Sequence, residues 1–243
     1  MSGRELIRKG TKLAALLRDP LYRQGLRLGV AAGIEHERLL ARHPSSILVD
    51  IGANRGQFAL VARRAWPEAR IYSFEPLEEP CRCFRKLFAA DAKVRLFPAG
   101  IAPERERRAI HLSRKEDSSS LLPIGAQAEF FPGTEEAGKV DVEVGPLGEW
   151  LPAEEIESPA FLKIDVQGFE AEVLRGCEGL LERFACAYVE ASFVELYGGQ
   201  ALADEVVAFL RERGWRLEGV YNLAYAPDGR AIQGDFFFVR RSR

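Results

Sequence analysis

Cysteine and histidine are scarce. The 243 residues hold four cysteines, Cys81, Cys83, Cys177 and Cys186, and three histidines, His36, His43 and His111. No CxxC pair and no HExxH occurs, which excludes the common redox and zinc motifs. The thiols read as free, mostly buried side chains in a reducing compartment. No run of 18 apolar residues exists, so no transmembrane helix is predicted. The opening residues lack an apolar core and a small-residue cleavage site, so no signal peptide is predicted and the cytoplasm is the expected location. An excess of one charge is also lacking: 34 Lys and Arg against 36 Asp and Glu leave −2. That argues against a protein built to coat nucleic acid, and none is expected as a partner.

What is present is ordinary for a globular chain. Hydrophobic residues make up 47% and charged residues 29%, which excludes disorder for the bulk of the molecule. The length suits one elaborated domain better than two. Residues 3–43 are predicted helical, with Leu6, Leu13, Leu17, Leu21 and Leu28 spaced by four or seven among basic residues. Asp19 and Pro20 read as the N-cap and first residue of a second helix. This N-terminal extension is either a helical cap on the main domain or an attachment to an acidic membrane surface or partner.

From residue 44 onward short apolar runs alternate with helical stretches. Ile47–Ile51, Arg70–Phe74, Lys93–Phe97, Phe161–Asp165 and Cys186–Glu190 read as strands. Residues 55–66, 78–90, 169–183 and 201–213 read as helices. That alternation predicts an α/β fold with a mostly parallel sheet. Trp215–Tyr221 and Asp235–Arg240 have no helix between them, so that last pair is predicted antiparallel. Residues 113–139 break the rhythm and read as a substrate-side insertion or lid. Val140–Val144 alternates and reads as an edge strand.

Three segments carry the chemistry. Asp50-Ile-Gly-Ala-Asn-Arg-Gly56 follows the first strand. Its glycines, Gly52 and Gly56, allow a tight turn against a ligand, and the next helix offers its N-terminus. The spacing is G-x-x-x-G, not the G-x-G-x-x-G of dinucleotide sites, and Asp50 would repel a pyrophosphate while attracting an ammonium group. Glu75, with Pro76, ends the second strand, 23 residues after Gly52. An acid at that position suits the two hydroxyls of a ribose. Together these describe a nucleoside with an amino-acid tail, as in S-adenosylmethionine. The candidate cofactor contacts are Asp50, Gly52, Ala53, Asn54, Gly56, Phe58, Glu75, Pro76, Gly100, Ile101 and Asp165. The third segment, Lys163-Ile-Asp-Val-Gln-Gly-Phe-Glu170, sets Lys163 and Asp165 at the carboxyl end of a central strand, where open α/β sheets bind ligands. Glu190 ends the next strand.

These segments, with Ser118-Ser-Ser-Leu121, Val173-Leu-Arg-Gly176 and Val189-Glu190, resemble the FkbM family of S-adenosylmethionine-dependent methyltransferases, in order from about Ile47 to Val239. The resemblance implies a class I methyltransferase fold, a seven-stranded Rossmann-like sheet whose last strand is antiparallel. It also implies O-methylation of a hydroxyl on a sugar, glycan or natural product. It departs at Pro146-Leu-Gly-Glu149, where Gly148 stands in place of an expected Asp. Asp165 or Glu190 is the expected base, with Lys163 holding the loop or stabilising oxyanion character. Ser118, Ser119, Ser120 and Gln167 are candidate acceptor contacts. Asp165, Glu170 and Glu190 supply hard oxygen ligands, but no metal motif is present. A catalytically silent scaffold on the same fold, or an oxidoreductase using NAD, are the other readings open at this point.

Overall fold

The structure, a computed structural model, describes residues 13–240. The expected helix over residues 3–12 lies outside the described residues, while 13–18 are helical. The helices that follow are α1 (Pro20–Arg27), α2 (Glu37–Arg42), α3 (Gln57–Ala65), α4 (Glu78–Leu87), α5 (Gln127–Phe130), α6 (Glu170–Gly176) and α7 (Ala203–Glu212). The strands are β1 (Ile47–Ile51), β2 (Arg70–Phe74), β3 (Val94–Phe97), β4 (Gly100–Ile101), β5 (Glu106–Ser113), β6 (Glu136–Gly145), β7 (Ala160–Ile164), β8 (Phe184–Ser192), β9 (Trp215–Tyr225) and β10 (Ala231–Arg240). No described helix is long and apolar enough to cross a membrane. The four thiols are free, three buried and Cys83 half-buried.

Seven strands form one sheet in the order β3-β2-β1-β7-β8-β10-β9. β10 runs antiparallel to both neighbours, and the other pairings are parallel. The anticipated α/β class and antiparallel last strand are therefore what the chain adopts. β1 is buried along its whole length because helices cover both faces, which is why its sequence is a continuous apolar run. Alternation divides each strand between two cores. Ile47, Val49 and Ile51 join one cluster with Val173, Leu174 and Leu210. Leu48, Ile71, Phe161, Tyr188 and Phe237 point the other way, onto α3 and the N-terminal segment. Asp19 caps α1, its carboxylate accepting from the amides of Leu21 and Tyr22. Leu16, Tyr22, Val30, Leu39 and Leu40 of the N-terminal segment are buried in that second core.

The expected edge strand at Val140–Val144 is corrected. It belongs to β6, the central strand of a second sheet ordered β4-β6-β5. Its partner β5 was not anticipated, because the Arg-rich sequence Glu106–Ser113 is half exposed and carries no apolar run. The segment 113–139 is ordered onto the domain. His111 pairs with Ser120 and Ile124 with Tyr197 as isolated bridges.

Candidate active site

A cavity of about 530 Å³ opens at the carboxyl ends of β1 and β7, large enough for a cofactor or drug-sized molecule. β1 and β7 lie side by side there while β2 and β8 diverge, the switch point at which such sheets bind ligands. The period of two along each strand decides what reaches it. Leu48 and Asp50 share a face, as do Phe161 and Lys163, Tyr188 and Glu190, and Phe237 and Asp235. Leu48, Phe161 and Phe237 are buried under the helices, Tyr188 is buried there with its hydroxyl turned to the cavity side, and the charged member of each pair sits nearer the open end.

At one end of the cavity is the turn after β1. Gly52 has φ +78°, and a Cβ there would lie 1.8 Å from the carbonyl oxygen of Asp165; no side chain fits. The amides of Gly52 and Ala53 both donate to the Phe74 carbonyl, 3.0 Å. Glu75 anchors the turn from the end of β2. Its Oε2 accepts from the Asn54 amide at 2.9 Å and its Oε1 from the Leu77 amide at 2.8 Å. Burial pushes Glu75 up to about 7 despite these two amides. Gly52, Ala53, Asn54, Phe58, Glu75, Pro76, Gly100 and Ile101 all line the cavity. Arg55 reaches across to Glu116 of the 113–139 segment, 2.7 Å.

Asp50 and Gly56 stand behind the other turn residues. Neither lines the cavity. Asp50 is fully buried, with its Oδ1 3.1 Å from the Lys163 Nζ, its register partner on β7. The contact is ionic, because neither oxygen of Asp50 has an aligned hydrogen bond. The charge nearest Asp50 is therefore the Lys163 ammonium. Burial raises the Asp50 pKa against the pull of Lys163. Burial opposes the charge on Lys163 too, but Asp50 and Asp165 outweigh it and the lysine is raised. Nζ also donates to the Gly52 carbonyl at 2.8 Å, which ties the turn to β7. Gly56 caps α3 behind the turn, where a Cβ would meet Phe88 at 2.9 Å.

At the other end stand Asp165 and Glu190. One amide joins them: Nε2 of Gln167 donates to Asp165 Oδ1 at 2.8 Å and to Glu190 Oε2 at 2.9 Å. The hydroxyl of Tyr197, 2.8 Å from Gln167 Oε1, fixes which way that amide faces. Gln233 on β10 donates to the other Glu190 oxygen at 3.0 Å. Burial, then the nearby Asp165, raises Glu190 well above the usual carboxylate range. Glu170 does not reach the cavity lining. Its Oε1 accepts the amides of Val166 and Gly168, 3.2 and 3.1 Å, and shapes the loop. Gly168 has φ +97° and its missing Cβ makes room for Tyr197. Ser118 and Ser119 line the cavity; Ser120 does not, since its hydroxyl is used on the Gln167 carbonyl and the Leu122 amide.

Sequence reasoning missed a third group. His36, Tyr188, Gln233 and Asp235 also line the cavity. Tyr188 donates to Asp235 Oδ2 at 3.0 Å, and Asn222 donates to the same oxygen at 2.8 Å. The signal available was a glutamine and an aspartate inside the otherwise apolar run of β10; nothing singles out His36.

The description "Methyltransferase FkbM domain" matches residues 50–217. Among curated proteins, 2-O-methyltransferase NoeI of Sinorhizobium fredii is 26% identical over 204 residues, covering 80% of this chain and 84% of that one. Methyltransferase sdnD of Sordaria araneosa is 26% identical, covering 72% and 76%. A solved putative O-methyltransferase from Klebsiella pneumoniae superposes with a TM-score of 0.51 at 13% identity, over 96% of this chain and 97% of that one. That likeness speaks for the fold alone. The family match spans both the glycine turn with its acid and the loop joining Asp165 to Gln167, and with it the chain belongs to the FkbM methyltransferase family.

Proposed function

We propose that this methyltransferase uses S-adenosylmethionine to methylate a hydroxyl of a sugar or similarly polar small molecule. The observation that carries the reading is a single cavity with an amide-anchored carboxylate, Glu75, at one end and the bridged pair Asp165 and Glu190 at the other. The residues fit the cofactor. Each oxygen of Glu75 spends one lone pair on a backbone amide and keeps another for a ribose hydroxyl. Gly52, Ala53, Asn54, Phe58, Pro76, Gly100 and Ile101 are the proposed further contacts. When bound, the cofactor supplies an electrophilic methyl carbon, and the protein's share is positioning and charge.

Asp165 and Glu190 are proposed to orient the acceptor hydroxyl, with Gln167 setting their separation. Lys163 is proposed to hold the turn and to offset the negative charge gathered beside it. Ser118 and Ser119 are proposed to meet the acceptor from the 113–139 side. The lining supports this substrate class by offering carboxylates and amides for several hydroxyls at once, and the 2-O-methyltransferase name of one relative agrees with it.

Calorimetric titration with S-adenosylhomocysteine and with NAD, on wild type and Glu75→Ala, tests the cofactor. Micromolar binding of the first alone, lost in the variant, is expected; binding of NAD would overturn the reading. Release of S-adenosylhomocysteine over a panel of methyl glycosides then tests the acceptor. Asp165→Ala and Glu190→Ala should each lower that release by about a hundredfold or more with cofactor affinity nearly unchanged.

A further inference from the structure

We infer that His36 takes the proton of the acceptor hydroxyl, held for that task by Tyr188 and Asp235. The inference rests on the methyl-transfer reading above and names a residue for it that lies outside the span matched by the family. His36 ends a short 3-10 turn, Ile34–His36, ahead of α2. Its ring stands 5.1 Å from Phe58 and edge-on to Tyr188 at 5.5 Å, and it lines the cavity.

The two ring nitrogens have different surroundings. Nδ1 faces protein: Tyr188 Oη at 3.2 Å, Asn222 Nδ2 at 3.3 Å and Asp235 Oδ2 at 3.9 Å. The single proton of the Tyr188 hydroxyl goes to Asp235. Asn222 Nδ2 has two protons, and Asp235 Oδ2 at 2.8 Å and Tyr188 Oη at 3.2 Å both lie nearer to it than Nδ1, so they take them; the second lone pair of Tyr188 Oη then accepts Nδ1–H. This leaves the lone pair on Nε2, which no hydrogen bond among the described residues occupies. The carboxylates are less free. Glu190 has an amide donor on each oxygen. Asp165 has one on Oδ1 and the Lys163 ammonium 3.9 Å from Oδ2.

In the proposed step the acceptor's O–H bond breaks and its proton passes to Nε2. The methyl takes the proton's place on oxygen, and the unit positive charge given up by the donor reappears on the imidazolium. Asp235, Glu35 and Asp165 face the ring and favour that charge; burial and Lys163 oppose it. Burial prevails in the resting site and holds His36 below its ordinary value, so the ring is neutral at pH 7.

The test uses full-length protein with 15N-labelled histidine, saturated with S-adenosylhomocysteine, and His36→Gln to assign the ring signal. Between about pH 7 and pH 8 the spectrum should report a neutral ring with its proton on Nδ1. With a panel of methyl glycosides, His36→Gln should lose about a hundredfold or more of turnover while S-adenosylhomocysteine affinity stays put. Tyr188→Phe should move the proton toward Nε2 and lower kcat more than it raises KM. A proton on Nε2 in the wild type, or turnover retained in His36→Gln, overturns the inference. If the wild type methylates no glycoside, the sugar reading fails separately and the ring spectrum alone decides the role of His36.

Discussion

A carboxylate accepts hydroxyl protons best when ionised, and Glu75, proposed to receive the ribose, is held at about 7 by burial. Its ionised fraction therefore rises with pH across neutrality. S-adenosylhomocysteine is expected to bind about tenfold more weakly at pH 6 than at pH 8, and Glu75→Gln should flatten that dependence in calorimetry. Glu170 makes a second prediction. Glu170→Ala would orphan the amides of Val166 and Gly168, costing about 1–3 kcal/mol for each in a denaturant titration, while Glu170→Gln keeps an acceptor and costs less. Glu170 is also raised to about 7, so the stability it contributes in its protonated form is lost as pH rises from about 4.5 to about 7. The Gln variant should lack that slope. Glu75 was legible in the sequence because it ends a strand at a set distance from the Gly52 turn, and Asp165 because it ends a strand just before Gly168. His36 was not, because its partners Tyr188, Asn222 and Asp235 lie 152 to 199 residues away and meet it only through the sheet.

Between elements, the tie that sets the site is the Asp50–Lys163 pair joining β1 to β7. Breaking a buried pair leaves a charge without compensation, so Lys163→Met should cost about 3–5 kcal/mol. Asp50→Asn added to it should restore a good part of that stability without restoring turnover. Denaturant midpoints of the two singles and the double measure the coupling. The buried strands were readable because a strand covered on both faces is mostly apolar, β1 and β7 each departing from that only at the paired Asp50 and Lys163. β5 and β6 were harder. Alternating half-exposed sequences state which face is buried but not which strand lies alongside, so Val140–Val144 passed for an edge.

Across the whole molecule, the N-terminal segment is part of the wall that encloses the site. Gly33, Glu35 and His36 line the cavity, and Leu40, fully buried, packs in one core with Leu60 and Phe161. Its carbonyl also accepts the Trp66 indole at 3.0 Å. Leu40→Ala is expected to destabilise the entire domain by about 2–5 kcal/mol in one cooperative unfolding transition. A separate early transition for the segment would contradict that. Leucine spacing located the helix at 13–18 and α1, but residues 28–33 are not helical, against the expectation of helix through 43, and the segment's share in the cavity was not readable because it depends on where the sheet directs Tyr188 and Asp235. The strand order carries one more consequence. β9 borders only β10, and β10 is inserted between β9 and β8. During synthesis β9 leaves the ribosome with no neighbour to pair with, and waits until the ten residues of β10 follow it. Gln233 and Asp235 arrive in that same stretch. A nascent chain stalled before Ala231 therefore holds β3, β2, β1, β7 and β8 complete but lacks β10, and with it Gln233 and Asp235 of the cavity lining.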